Sequence, residues 1–540
     1  MSSPQPIPAT YHYPESIQSL FWQKSTTLYQ ATVVEDLWNR DHTLWKPLPT
    51  EIENRLGWLD LPEDTLEKLP DIERRVKAVL SSNPTDVVLM GMGGSSLCPE
   101  VFRRSMGSAE EHPTLHVLDS TNPDWVRRVT GAIDPKRTLF IVASKSGGTI
   151  EVMSAFNYFW EIVSAVVTLP GKQFIAITDP GTSLVDKGRE CGFADVFQNR
   201  EDIGGRFSAL SFFGMVPALL MGLDVRELLD RAKVMAEECR QPKPEDNPGA
   251  QLGLFLTVCV DNGRDKLTLL TDPKLDGLGL WIEQLIAEST GKEGKGILPV
   301  AGEPILDPRK YGDDRMFVGV TLPGEDSIAD HLQAVKDAGH PTAHIELSDH
   351  LDLGAEFYRW EFATALASHF LIINAFDQPN VQLAKTLTGE VIDEYKQTSS
   401  LAAAPETEPS ASLLEDAKPP AFLAIMAYLL ETDETEAALT HLRKAVAAKY
   451  GIATTSGYGP RFLHSTGQYH KGGPNTGLFL QLVQQQDDLP IPGQEYGFGT
   501  LCEAQSIGDC KALLDKDRRI ARVELGPDAA EGIRELAENV

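Results

Sequence analysis

The sequence predicts an α/β protein in which two doubly wound parallel-sheet domains follow a helical N-terminal segment and precede a small C-terminal α+β domain. Three observations carry this. Short apolar runs such as Asp86-Val-Val-Leu-Met90, Leu115-His-Val-Leu118, Thr138-Leu-Phe-Ile-Val-Ala143 and Phe174-Ile-Ala-Ile-Thr178 alternate with helical stretches. That is the pattern of parallel strands buried on both faces by crossover helices. The chain has 540 residues with 42% hydrophobic content, enough for several cores at ~100–200 residues per domain. Finally, residues 399–420 read SSLAAAPETEPSASLLEDAKPP, a composition that buries little surface and marks a linker.

Taken in order, residues 1–80 form the helical segment, polar from Ile17 to Ile72 apart from anchors such as Trp22, Leu28, Leu37, Trp38 and Trp45. The first α/β domain covers 81–245. The second covers 246–397, with strands at Leu267–Leu270 and Met316–Val320 and helices at Leu278–Ser289 and Leu353–Phe376. After a linker at 398–420, the domain 421–540 has strands at Ala421–Leu429, Thr476–Val483 and Arg519–Leu525 and helices near Glu434–Tyr450 and Leu501–Leu514. With a glycine-rich stretch before Thr476, this order of strands and helices predicts an α+β unit.

Charge narrows the partners. Forty-nine Lys and Arg against 78 Asp and Glu give −29, which repels nucleic acid and anionic membranes. An anionic ligand would need a local device such as a glycine-rich loop, a helix N-terminus or a placed Arg. The six cysteines form no CxxC pair and no metal-ligand spacing, so a reduced, cytoplasmic setting is expected and no metal or cofactor. MSSPQPIPATYHYPES lacks a basic and an apolar region, and the longest apolar stretches are broken by Pro217 and by Ser368, His369 and Asn374. Neither a signal peptide nor a spanning helix is expected.

Four segments carry candidate chemistry. Strand Asp86–Met90 runs into Gly91-Met-Gly-Gly-Ser-Ser-Leu97, where Gly94 and Ser95 would sit beside a ligand. The spacing is neither a dinucleotide fingerprint nor a Walker loop. Strand Thr138–Ala143 leads into Ser144-Lys-Ser-Gly-Gly-Thr-Ile-Glu151, where Ser144, Lys145, Ser146 and Thr149 suit a phosphate monoester better than a single helix cap. Asp202-Ile-Gly-Gly-Arg-Phe-Ser208 places Arg206 before an apolar helix, where a guanidinium faces an anion or turns to solvent. Glu288 falls on the face of Trp281 and Leu285, so it is either a general base or a helix-end carboxylate reaching water.

These segments in this order resemble the phosphoglucose isomerases, whose halves are sugar-isomerase (SIS) folds. The resemblance runs through GMGGSSL at 91–97, SKSGGTIE at 144–151, GGRFS at 204–208, ESTGK at 288–292 and FDQPNVQLAK at 376–385. It implies aldose–ketose isomerisation of glucose 6-phosphate and fructose 6-phosphate through an enediolate, without a metal. It implies Glu288 as base, Arg206 as the charge that steadies the enediolate, and Lys385 in ring handling. Ser144, Lys145, Ser146 and Thr149 would hold the phosphate, with Gly94, Ser95, Glu151 and Gln378 as polar site residues. The family's T-N-G-Q-H element is missing between Lys292 and Phe376, and its nearest counterpart is Phe462-Leu-His-Ser-Thr-Gly-Gln-Tyr-His-Lys-Gly-Gly473. The expected ring-opening residue is therefore His470, ahead of His464, with His344 or His350 as a bland alternative.

A C-terminal domain of this length is similar to the isomerase half of transaldolase and phosphoglucose isomerase fusion proteins, and no transaldolase barrel fits before residue 86. The expected partner is a small sugar phosphate, and the expected assembly a monomer or homodimer. Two other readings are a sugar-phosphate-binding SIS module without turnover and an isomerase also active on mannose 6-phosphate. The first would not need Glu288, Arg206 and Lys385.

Overall fold

A computed structural model describes residues 7–540, so the first six residues of the predicted N-terminal segment lie outside the description. Among the described residues, fourteen strands form three sheets. The first contains β2 (Asp86–Met90), β3 (Thr114–Leu118), β4 (Thr138–Ala143), β5 (Phe174–Thr178) and β6 (Asp195–Gln198), all parallel in the order β3-β2-β4-β5-β6. Every residue of β4 and β5 is buried, as expected of strands covered on both faces by helices.

The second sheet has the order β1-β10-β9-β7-β8, from β1 (Ala9–His12), β7 (Lys266–Thr271), β8 (Leu298–Val300), β9 (Arg315–Thr321) and β10 (Thr342–Glu346). It is parallel except for β1, which pairs antiparallel with β10 through Ala9–Ile345 to His12–Thr342. The N-terminal segment is thus not wholly helical. Four residues pairing with a partner more than three hundred positions away carry too little local periodicity to announce a strand. The helix Leu353–Leu371 is buried from Leu353 to Ser368, the fate of a helix that is apolar on most sides. It holds the N-terminal segment through Trp45 Nε1, which donates to Ala365 O at 2.9 Å.

The C-terminal unit differs from its prediction. β11 (Phe422–Tyr428), β12 (Ala453–Tyr458), β13 (Gly477–Gln484) and β14 (Arg519–Leu525) form a sheet in the order β12-β11-β13-β14, parallel throughout. It is an α/β layer rather than an α+β one. β12 lies hidden in the glycine-rich stretch, and the crossover from β12 to β13 holds only the six-residue helix Gly467–Gly472, too short to announce a parallel connection by its periodicity.

The segment between the second and third sheets is docked. Leu413 is buried, Thr407 Oγ1 accepts from Arg522 N at 3.0 Å, and Glu408 pairs with Arg519 at 2.7 Å, laying 407–413 along β14. Its few apolar residues are enough to fasten a Pro- and Ala-rich stretch at a sheet edge. Apolar clusters join the C-terminal unit to both others. Phe422, Met426, Phe462 and Tyr469 pack with Ala287, Leu298 and Val300. Ile491, Phe498 and Leu501 pack with Val88, Phe140 and Phe156. Among the described residues no helix is long and apolar enough to cross a membrane.

A buried ion pair sits where the second and third sheets meet. Arg315 donates to Glu303 at 2.8 and 3.0 Å, and Glu303 Oε1 also accepts from Thr454 N at 2.8 Å at the start of β12. Both side chains are about 1% exposed. Replacing Glu303 by Ala leaves the guanidinium unpaired in the interior, which should cost ~3–5 kcal/mol. Urea unfolding of Glu303→Ala against wild type measures this, and an unchanged midpoint contradicts it.

Candidate functional site

The ends of β2, β4 and β5 open onto a cleft of about 770 Å³, at the carboxyl edge of the first sheet, where ligands of open α/β sheets bind. Three chain segments meet at its floor. A Cβ on Gly94 would fall 2.0 Å from Gly205 O, and one on Gly93, whose φ is +54°, would fall 2.7 Å from His464 O. Only glycine permits that approach. The glycines of the 91–97 loop therefore serve first to let the 204–208 loop and the C-terminal unit close on each other.

The helix Asp276–Thr290 lies along this floor and is buried over its last ten residues. Its Glu288 is 6% exposed and lines the cleft, with Oε1 at 3.6 Å from Arg206 Nη1. Gln284, one turn earlier, donates through Nε2 to Glu288 Oε2 at 3.0 Å and to His464 O at 2.9 Å. One amide thus ties the carboxylate to the segment arriving from the C-terminal unit. Arg206 is 3% exposed; Nε donates to Ser289 Oγ at 2.8 Å, Nη1 to Gln378 Oε1 at 3.2 Å, and Nη2 to Ala375 O at 2.6 Å and Asp377 O at 3.0 Å. A buried guanidinium is tolerable because these acceptors replace water.

Ser146, Thr149 and Lys145 border the cleft with Ser95, Gly94, Gln378 and Lys385. Ser144 does not. Its Oγ lies 2.9 Å from Thr149 Oγ1 and accepts from Gly147 N at 3.1 Å, so it shapes the loop rather than facing a ligand, a correction to its expected place. Lys145 is paired with Asp179 and donates to Glu201 O at 3.1 Å. Burial raises the Asp179 carboxyl above its usual range, with Lys145 opposing. Glu151 is set back from the main cleft, beside an adjoining cavity of about 390 Å³, and its Oε1 accepts from His464 Nε2 at 2.8 Å. Burial pushes its carboxyl up, but the His464 ring and its hydrogen bond outweigh this and hold it below its ordinary value.

Both C-terminal histidines are expected at the site, and the structure brings only one of them to the cleft. His464 lines the cleft. His470 is turned away, 4% exposed, with its ring 5.1 Å from that of Phe479 and 6.0 Å from that of Phe462. Burial and nearby Lys471 and Arg518 push it well below the usual histidine range. The physical reason is the helix Gly467–Gly472, which carries His470 into the core beneath the third sheet, while His464 ends the preceding turn Arg461–His464 at the cleft. His344 bonds Thr321 Oγ1 at 2.9 Å across β10 and β9, and neither it nor His350 borders the cleft.

Sequence reading misses Gln284, Lys292, Asp377 and Gln505. Gln284 is within its reach, because four residues before Glu288 is one helical turn. Lys292 lies inside the ESTGK segment but has no role assigned by it. It is 2% exposed and donates to Asn374 O at 2.6 Å, Asp377 O at 2.5 Å and Asp377 Oδ1 at 2.7 Å. Gln505, on the helix Phe498–Leu514, donates to Glu151 Oε1 at 2.8 Å; no motif surrounds it.

Burial, reinforced by Arg206, lowers Lys292 to about 7. The unfolded chain, with an ordinary lysine near ~10.4, therefore binds more protons than the folded one between about pH 7 and pH 10, and stability attributable to this group rises with pH across that window. Wild type should gain on Lys292→Met by up to ~1.4 kcal/mol per pH unit there. Paired urea titrations at pH 7.5 and 9.5 read this directly, and a difference that stays flat or shrinks refutes the depressed lysine.

Comparison with known proteins places the geometry in context. The family described as phosphoglucose isomerase matches residues 73–297. The chain is 27% identical over 410 residues to the glucose-6-phosphate isomerase of Cyanothece sp., covering 68% of this chain and 75% of that protein. It is 26% identical over 389 residues to a probable glucose-6-phosphate isomerase of Methanococcus maripaludis, covering 65% and 87%. In fold it is similar to a hypothetical protein of Thermus thermophilus, with a TM-score of 0.60 at 24% identity over 71% of this chain and 99% of the other. A glucose-6-phosphate isomerase of Chlamydia trachomatis shares the fold at a TM-score of 0.59 and 18% identity, over 71% and 86%.

Proposed function

We propose that the chain belongs to the phosphoglucose isomerase family, whose model matches residues 73–297, and that it interconverts glucose 6-phosphate and fructose 6-phosphate by proton transfer through an enediolate. The observation that carries the proposal is the enclosed pair of Glu288 and Arg206, 3.6 Å apart at the floor of a cleft rimmed by hydroxyls. Aldose–ketose exchange moves one proton between adjacent carbons. It needs one base reaching both, a fixed positive charge for the developing oxyanion, and an acid–base group for the ring.

In this reading Glu288 takes the proton from one carbon and returns it to the next. Its partner Gln284 holds the carboxylate by one oxygen, leaving the other toward Arg206 and the substrate. Arg206 cannot lose its proton at working pH, so it steadies the enediolate without competing as an acid. Ser146 and Thr149 would hold the phosphate with the free N–H groups at the start of the helix Ile150–Ser164, a ready anion site. Lys145 would exchange part of its pairing with Asp179 for the phosphate. Ser95 would lie beside the sugar, with Gln378 and Lys385 toward the anomeric end. His464, backed by Glu151, would open and close the ring. It comes from the same chain, because the C-terminal unit packs onto the cleft. A binding module without turnover would need the hydroxyl rim but not a carboxylate and guanidinium enclosed together.

The scheme routes no step through a metal. Conversion of fructose 6-phosphate to glucose 6-phosphate, followed in a coupled assay with a chelator present, should proceed. Activity that vanishes and returns with a divalent ion contradicts the scheme. In the same assay His464→Ala should lower turnover of the cyclic sugar by at least tenfold, within the range for a general acid–base group. His470→Ala should leave turnover within about threefold once stability is matched, while lowering the melting temperature. The reverse ranking would return the ring-handling role to His470.

A further inference from the structure

We infer that Gln505 is a positioning residue: it holds the Glu151 carboxylate against His464 and so fixes which ring nitrogen of His464 is offered to the cleft. The kinetic consequence rests on the isomerase reading above; the hydrogen-bond argument does not.

Gln505 is 3% exposed and sits on the helix Phe498–Leu514 of the C-terminal unit. Its amide bridges two groups of the first sheet's domain. Thr121 Oγ1 donates to Oε1 at 2.6 Å, and Nε2 donates to Glu151 Oε1 at 2.8 Å. The orientation is forced. Turned the other way, the amide oxygen would face a carboxylate oxygen with no proton between them, whereas a hydroxyl accommodates either partner. Thr121 therefore has one function in this chain of bonds, to receive the oxygen end.

The same Glu151 oxygen is 2.8 Å from His464 Nε2. An ionised carboxylate only accepts, so Nε2 must carry the hydrogen, and in the neutral ring Nδ1 is left as the bare nitrogen. His464 borders the cleft while its Nε2 is engaged, which leaves Nδ1 to exchange a proton there. This is the logic of a base whose tautomer is set by the bond its other nitrogen makes. Three elements face Glu151: the segment bearing His464, the helix Val381–Thr398 with Lys385, and the helix bearing Gln505. Cys502 lies beside Thr121 at the far end of the relay.

Removing the amide takes one donor from a buried carboxylate, and the charged form loses support. A protonated Glu151 would donate to Nε2 instead of accepting from it. The ring would then carry its hydrogen on Nδ1, and the nitrogen offered to the cleft would change from acceptor to donor. The pair then holds one proton more, taken up from solvent by the Glu151 carboxylate, and the hydrogen on the ring moves from Nε2 to Nδ1.

The test compares wild type, Gln505→Leu and Thr121→Val, the last removing only the oxygen-end partner should the leucine variant fold poorly. ¹⁵N-labelled histidine NMR, with the His464 signal identified by its loss in His464→Ala, reads the tautomer without substrate. Wild type should show hydrogen on Nε2 from about pH 6 to pH 8, and Gln505→Leu should move it to Nδ1 over part of that range. With fructose 6-phosphate, the acid limb of the turnover profile should rise by roughly one to two pH units, the size expected from one lost hydrogen bond to a charged group. An unchanged His464 tautomer in both variants overturns the inference, even if activity falls, because loss of packing alone does not move a tautomer. If wild type turns over no sugar phosphate, the isomerase reading fails while the NMR comparison still decides the role of Gln505.

Discussion

A guanidinium withdrawn from water must find an acceptor for its N–H groups, and the cleft is organised around that demand at Arg206. Ser289, Gln378 and the carbonyls of Ala375 and Asp377 receive it. Lys292 donates into the same 374–377 turn. Two buried basic side chains therefore hold one loop by its carbonyls, and that loop begins the segment carrying Gln378 and Lys385. Glu288 is the compensating charge within reach of Arg206. Removing the carboxylate would leave the buried Arg206 without its compensating charge, so binding geometry and stability are coupled here by one electrostatic balance.

The C-terminal unit closes this balance from outside. It brings His464 against Glu151, receives Gln284 at the His464 carbonyl, and anchors its approach through Arg461, which donates to Asp119 at 2.8 and 2.9 Å at the end of β3. Asp119 is wholly buried and Arg461 nearly so. Such a pair contributes less to net stability than to a unique docking geometry, since either partner alone would be penalised. The unit is thus a structural part of the cleft, in the same chain and in register with it.

What can be read from the sequence follows from local signals. The alternating apolar runs of β2, β4 and β5 need only a few consecutive residues to be recognised, and the loops after them stand out by composition. Glu288 can be placed from the spacing of its helix. The antiparallel β1, the parallel third sheet and the docking of 407–413 depend on partners far away in sequence, which no local pattern encodes. A motif's letters favour His470 over His464, while the short helix Gly467–Gly472 decides which ring faces the cleft. Ser144 looks like a ligand for the same reason; its hydroxyl is consumed inside the loop. Gln505 shows the limit most clearly, because a glutamine on a helix that also carries Glu503, Ser506, Asp509 and Lys511 stands out only beside Glu151 and Thr121.

The central claim is that Glu288 carries the proton between adjacent carbons in the field of Arg206. It is tested most directly by running the reaction in D₂O and measuring deuterium at the second carbon of recovered sugar phosphate in wild type and Glu288→Gln. The amide matches the carboxylate in volume and lacks its basicity. Wild type should incorporate solvent deuterium, and Glu288→Gln should reduce exchange by at least a hundredfold while binding an enediolate analogue within about tenfold. Exchange at the wild-type rate in the variant would contradict the account.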